Sequence, residues 1–189
     1  MSPKEFWKTQ ASHLQVRPNK DIGLEAILNY IGEDNSVLDF GCGFGALAEY
    51  MPDTLYQGVD INQDRIDYCR MQYANHEFKL IEGSCDLGAG LDVWWAGFNV
   101  VVANNVLHHV DDHEIVGMLS DFYFAAPRLV IGTHVTEGGK FERNGVLTNW
   151  NRTLKEYQGL LKGAGYRHFE ETKEHNPRYG VDFHVIHAF

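Results

Sequence analysis

Long apolar runs, cysteine and clustered basic charge are what this sequence has least of. No stretch approaches the roughly 20 apolar residues that a membrane helix needs. The opening "MSPKEFWKTQ" lacks the apolar core of a secretory leader. Three cysteines, Cys42, Cys69 and Cys85, are spaced too irregularly for a disulfide framework or a zinc knuckle. An odd number without pairing logic points to a reducing, cytoplasmic compartment. The 16 Lys and Arg are scattered and outnumbered by 26 Asp and Glu, leaving a net charge of −10 with neutral histidines. A nucleic-acid backbone would be repelled by such a surface. Neither nucleic acid nor a membrane is therefore expected as a partner. Proline is also sparse, five in 189 residues, and no repeat or linker-like tract divides the chain. One domain over residues 1–189 is expected, with 1–32 as a helical cap ahead of it, acting as a monomer or homodimer.

What is present is a soluble globular composition, 44% hydrophobic and 22% charged. Short β-rich runs alternate with helix-length segments. "SVLDF", "LYQGVDI", "EFKLIEG", "FNVVVAN" and "RLVIGTHV" read as strands, the fourth apolar enough to be covered on both faces. "ALAEYM" continues helically to Pro52, and "NQDRIDYCRMQYA" is a helix that Asn62 can cap. "DDHEIVGMLSDFYFAA" is a third, with Asp111 and Glu114 at capping-box spacing. Residues 136 to 152 read as irregular, with exposed-looking aromatics. Thr153 and Glu156 open a further helix that ends in "GAG". "RHFEETKEH" and "VDFHVIHAF" around "NPRYG" form a tight, hence antiparallel, pair. This pattern predicts an α/β, doubly wound (Rossmann-like), mostly parallel seven-stranded sheet with a C-terminal antiparallel hairpin and helices on both faces.

The feature that invites a functional reading is "VLDFGCGFG", residues 37–45. Glycines at a strand end let the backbone turn sharply and let a ligand lie where a Cβ would clash. In a doubly wound sheet that place is the ligand crevice. Gly41, Gly43 and Ala46 also satisfy the dinucleotide fingerprint, with Asp60 as the ribose acid. Asp39 speaks against it: a carboxylate two residues ahead of the first glycine opposes a pyrophosphate but suits an ammonium or sulfonium. The acidic Glu49 and Asp53 nearby and the lack of room for a second domain point the same way.

"VLDFGCGFG", "YQGVDIN", "IEGSCD", "FNVVVANNVLHHV" and "NRTLKEYQGLLKGAGY" resemble, in order and spacing, the successive motifs of class I S-adenosylmethionine-dependent methyltransferases. The terminal hairpin resembles that family's antiparallel last strand. The resemblance implies S-adenosylmethionine as cofactor. It implies Asp39, Gly41 and Gly43 at the methionine end, Asp60 on both ribose hydroxyls, and Ile61 on the adenine face. It implies Cys85 and Asp86 at the adenine amino edge, with Ala103 and Asn104 meeting the ammonium through backbone carbonyl.

Methyl transfer needs a base only where the acceptor must lose a proton. His109 or His108, in the substrate-facing "NNVLHH", are candidates, since an imidazole titrates near working pH. The alternative is that one packs against the pocket and the other caps the next helix. His109, His113 and His134 would be a metal set only if one helix ran through the first two, and Asp111 looks like a cap between them; no metal is expected. "ANNV" lacks the Asn/Asp-Pro-Pro-aromatic motif of amino-adenine enzymes and the proline-cysteine of base-C5 enzymes. A small-molecule acceptor is the expectation. Trp7, Arg17, Phe141, Trp150 and Arg152 either cover that acceptor or roof the core, and Trp94 and Trp95 either pack or form a dimer patch. Two other functions stay open: a nicotinamide-dependent oxidoreductase, and a catalytically silent nucleoside-binding module.

Overall fold

The computed structural model describes Glu5, Phe6, Lys8 and residues 22–82, 97–135, 139–143, 146–176 and 181–189. Nine strands and four α-helices are described: β1 (Val37–Phe40), β2 (Tyr56–Asp60), β3 (Glu77–Leu80), β4 (Val100–Asn104), β5 (Arg128–His134), β6 (Gly139–Arg143), β7 (Val146–Asn151), β8 (Phe169–Asn176) and β9 (Val181–Ala188); α1 (Leu24–Ile31), α2 (Gln63–Gln72), α3 (Ile115–Ala125) and α4 (Leu154–Ala164).

Seven strands make one sheet in the order β3-β2-β1-β4-β5-β9-β8. The pairs from β3 to β5 are parallel, and β9 enters antiparallel between β5 and β8. Strand order reverses between β1 and β4, which is where such sheets open a ligand crevice. Alternate side chains of each central strand feed two cores. Leu38, Val101, Leu129 and Ile131 face α3 and α4, whereas Val37, Val100, Val102 and Val130 face α1 and α2. Burial on both faces is why these strands read as unbroken apolar runs.

Local signals set most element ends. The Asn62 side chain accepts the Arg65 N–H at 3.2 Å and starts α2. Thr153 and Glu156 make a full capping box at α4, and Gly165 closes it at φ 120°. Asp111 Oδ1 accepts the N–H groups of His113 and Glu114, both at 2.8 Å, in the turn leading to α3.

Two expectations change. Residues after Gly45 form 3-10 turns at Ala48–Tyr50 and Asp53–Leu55 rather than an α-helix. Between Gly45 and Pro52 the chain is too short to repay helix nucleation, so it closes i to i+3 bonds. The stretch read as irregular instead contains the antiparallel pair β6–β7, with a register shift between Phe141 and Glu142. The Asn144-Gly145 pair between the two strands is a hairpin signal that the Gly and Asn content obscured. No helix among the described residues is long and apolar enough to cross a membrane.

Candidate active site

Beyond β1 the chain reverses through Gly41, Gly43 and Gly45 at φ 72°, 56° and 77°, where a side chain is strained. The N–H groups of Gly41 and Cys42 both donate to the Val59 carbonyl, at 2.8 and 2.9 Å. The Gly43 N–H donates to Asp60 Oδ2 at 2.9 Å, and the Asn62 N–H to Asp60 Oδ1 at 2.9 Å. Arg65 lies 3.5 Å from the same carboxylate. The turn is thus hung on the end of β2, with Asp60 as its bracket. A Cβ on Gly41 would overlap the Val106 side chain, whereas one on Gly43 would meet nothing within 4 Å among the described residues. Gly41 marks where the β1 turn meets the loop after β4; Gly43 opens onto free space.

Asp39 lies beneath this turn, buried, with the Tyr56 hydroxyl donating to its Oδ2 at 2.7 Å. Burial, then the Asp39 charge, pushes the Tyr56 hydroxyl well above its ordinary range, so it stays a donor. Sequence reasoning missed Tyr56, since only strand pairing brings the two together. The hydrogen bond with Cys69, burial and the Asp39 and Asp60 charges likewise push the Cys42 thiol up. Cys42 is therefore a neutral packing group.

Ile61 packs on the α3–α4 core. Ala103 is fully buried, and Asn104 is half-buried with its side chain over Gly132, where a Cβ would overlap Asn104 Oδ1. Asn105 then takes the left-handed conformation at φ 57°, and its N–H donates to the Gly132 carbonyl at 2.7 Å. Cys85, Asp86, Trp7, Arg17, Trp94, Trp95 and the Phe141 side chain lie outside the described residues.

The chain next makes a 3-10 turn, Leu107–His109. His108 is buried, its Nδ1 3.4 Å from the Thr133 hydroxyl, which is 3.3 Å from the Tyr157 hydroxyl. The rings of His108 and half-buried His109 have centroids 3.9 Å apart, and His134 stands 6.5 Å from His108. Burial, then His109, His134 and Arg152, hold the His108 pKa well below the usual imidazole range. His113 sits beyond the Asp111 turn, separate from His109, and no cluster of three or more metal-ligating side chains occurs among the described residues. Thr133 and Tyr157 are contributors that sequence reasoning missed. The signal was a hydroxyl inside the otherwise apolar "RLVIGTHV". Trp150 and Arg152, left between covering the acceptor and roofing the core, are both buried.

Stability carries the imprint of these imidazoles. His134 and His187 are also lowered, each mainly by burial. Folded pKa values below the unfolded value of about 6.5 mean that the unfolded chain binds more protons in acid. Stability is therefore complete above about pH 6.5 and is lost as pH falls below it. A thermal melt series is expected to show a flat midpoint from about pH 7 to 8 and a falling one towards about pH 5.

A match to the family described as methyltransferase domain covers residues 37–125, from the first residue of β1 to the last of α3. Over that span the chain is similar to methyltransferase domains. Solved structures share the fold of this chain at low identity. The 1,6-didemethyltoxoflavin-N1-methyltransferase of Burkholderia thailandensis, bound to 1,6-didemethyltoxoflavin and S-adenosylhomocysteine, is 20% identical, with a TM-score of 0.72 over 88% of this chain and 76% of that one. The magnesium protoporphyrin IX methyltransferase of Synechocystis PCC 6803, with bound S-adenosylmethionine, is 13% identical, with a TM-score of 0.73 over 100% and 97%. A methyltransferase from Methanosarcina mazei is 19% identical, with a TM-score of 0.68 over 93% and 98%. No curated protein matches this chain in sequence.

Two of those solved structures hold S-adenosylhomocysteine or S-adenosylmethionine. The geometry of the turn fits S-adenosylmethionine: among the described residues the space above Gly43 is open to a ligand lying against backbone, and the neighbouring acid is a carboxylate whose basic partner, Arg65, is paired to it. A cationic, ribose-bearing ligand suits those partners better than a pyrophosphate.

Proposed function

We propose that the protein is an S-adenosylmethionine-dependent methyltransferase acting on a small-molecule acceptor that loses a proton at the methylated atom, with His109 receiving it. The observation carrying this is the histidine turn at the carboxyl end of β4, beside the switch point of the sheet. S-adenosylmethionine supplies an electrophilic methyl carbon on a sulfonium, open to in-line displacement. The chain's own residues bind, orient and take the proton. Gly41 and Gly43 offer backbone to the methionine end, with Asp39 acting from below the turn through its negative charge. Asp60 accepts the ribose hydroxyls, Ile61 packs on the adenine, and Ala103 and Asn104 offer carbonyls to the ammonium.

Two close imidazoles do not both carry charge readily. Burial keeps His108 neutral, so an arriving proton goes to His109 at the more open side. The net charge of −10 favours a small acceptor over a polyanion. Relatives of the same fold bind small acceptors, one 1,6-didemethyltoxoflavin and another phosphomonomethylethanolamine.

Residues 1–32 act as a cap on a single domain in this reading. Phe6 is buried, and the Lys8 carbonyl accepts from Asn62 Nδ2 at 2.8 Å, beside the end of β2. Lys8 thus lies against Asn62, two residues beyond Asp60.

Transfer of a labelled methyl group to a panel of phenols, amines, thiols and heteroaromatic N–H compounds tests the proposal, alongside calorimetry with S-adenosylhomocysteine. His109→Asn is expected to lower kcat/KM about 100-fold on the best acceptor, with product affinity little changed. An unaltered rate in that variant would remove His109 as the base. Binding without turnover on any acceptor would leave a silent binding module.

A further inference from the structure

Arg152 follows β7 directly and is only 4% exposed. Its guanidinium donates to the Leu107 carbonyl at 2.9 Å and to the Val110 carbonyl at 2.8 Å. Those two carbonyls bracket His108 and His109. The same group reaches its near neighbour Trp150 O at 3.4 Å and Asp112 Oδ1 at 2.8 Å. A planar fork of N–H donors can serve several carbonyls at once; a lysine ammonium cannot reproduce that geometry.

The turn it holds has little of its own to keep it in place. His109 N–H to Val106 O at 2.8 Å and Val110 N–H to Leu107 O at 3.2 Å are its backbone bonds. A single 3-10 turn is marginal in isolation, so the imidazoles stand wherever neighbours fix the backbone. We propose that Arg152 is a positioning residue, which orients the His108–His109 pair towards the acceptor by tying both ends of their turn to the β6–β7 hairpin. The inference rests on the reading of that turn as the acceptor side.

The groups around His108 come from four elements: His109 on its own turn, Thr133 and His134 on β5, Tyr157 on α4, and Arg152 after β7. Asp112, on the segment before α3, pairs with the guanidinium. Arg152 alone among these carries a permanent positive charge. Its removal therefore alters both the geometry of the turn and the field on the rings, and the two effects can be separated.

Long-range 1H–15N spectra of histidine-labelled protein, recorded from about pH 5 to 8 with and without S-adenosylhomocysteine, provide the test. Arg152→Gln is expected to move the ring signals of both His108 and His109 and to shift the His108 titration upward, because a nearby cation is gone. Arg152→Lys keeps the charge and loses the fork, so the signals move while the midpoint stays. Ring signals that coincide with those of the unaltered protein in both variants at every pH would overturn the proposal. If circular dichroism shows Arg152→Gln to be unfolded, the ring signals of Arg152→Lys decide alone. Failure of S-adenosylhomocysteine to bind the unaltered protein would overturn the cofactor geometry instead, and the spectra without it would still judge Arg152.

Discussion

Gly41→Ala is expected to abolish usable cofactor affinity and to destabilise the fold together. The residue sits at φ 72°, and an added Cβ would overlap Val106. The left-handed backbone alone costs about 1–2 kcal/mol for an alanine. Relieving the overlap then needs the loop after β4 to move, for a total loss of about 3 kcal/mol in unfolding free energy. Because that loop carries the histidine turn, both sides of the crevice shift at once. S-adenosylhomocysteine should bind at least about 30-fold more weakly, the equivalent of about 2 kcal/mol. Gly43→Ala is the informative partner. Its Cβ would meet nothing within 4 Å among the described residues, and φ is 56°. Stability should fall by only about 1–2 kcal/mol, whereas affinity should fall more than about tenfold as the methyl group enters ligand space. Denaturant melts and calorimetry on the two variants check this. Full affinity in Gly43→Ala would place the ligand elsewhere.

Asp60→Ala is expected to weaken cofactor binding by more than about tenfold, since a charged hydrogen bond contributes about 1.5–3 kcal/mol and two to ribose would go. The structure adds a second consequence. Asp60 also accepts from Gly43 and Asn62, and it pairs with Arg65. Its loss leaves two backbone donors and a guanidinium without their acceptor, so stability should drop by about 2 kcal/mol or more. Asp60→Asn retains one acceptor oxygen and should fall between the two. Calorimetry with S-adenosylhomocysteine and a urea melt separate the two consequences. Unchanged affinity in Asp60→Ala would remove it from the site.

The parts of the fold that were legible in the sequence are those with local causes. Asn62 and the Thr153–Glu156 box are short-range hydrogen bonds, so residue type and spacing suffice to see them. The buried strands announced themselves through apolar runs. The candidate site was legible where it follows from chain order: Gly43 and Asp60 do meet, and the histidine turn does follow β4. What stayed hidden depends on contacts between distant segments. Tyr56 reaches Asp39 only through parallel pairing of β1 and β2. Arg152 reaches Leu107 and Val110 across more than forty residues of chain, from a hairpin whose Gly-rich and Asn-rich composition looked like loop. The Arg152 guanidinium, which residue type alone left between a lid and a roof, is buried inside the protein.

The outermost strand has a bearing on self-association. β8 forms one margin of the main sheet, pairing only with β9 among the described strands, and eight residues of unsatisfied ladder are an invitation to a second chain. Its sequence answers that hazard: Glu170, Glu171 and Glu174, with Lys173 and His175 between and after them, leave the strand charged along its length. Two such margins brought side by side would set carboxylates against carboxylates, so sheet-to-sheet propagation through β8 is opposed electrostatically at neutral pH. The opposition weakens as the carboxylates protonate, and acid should turn a colloidally safe edge into a sticky one.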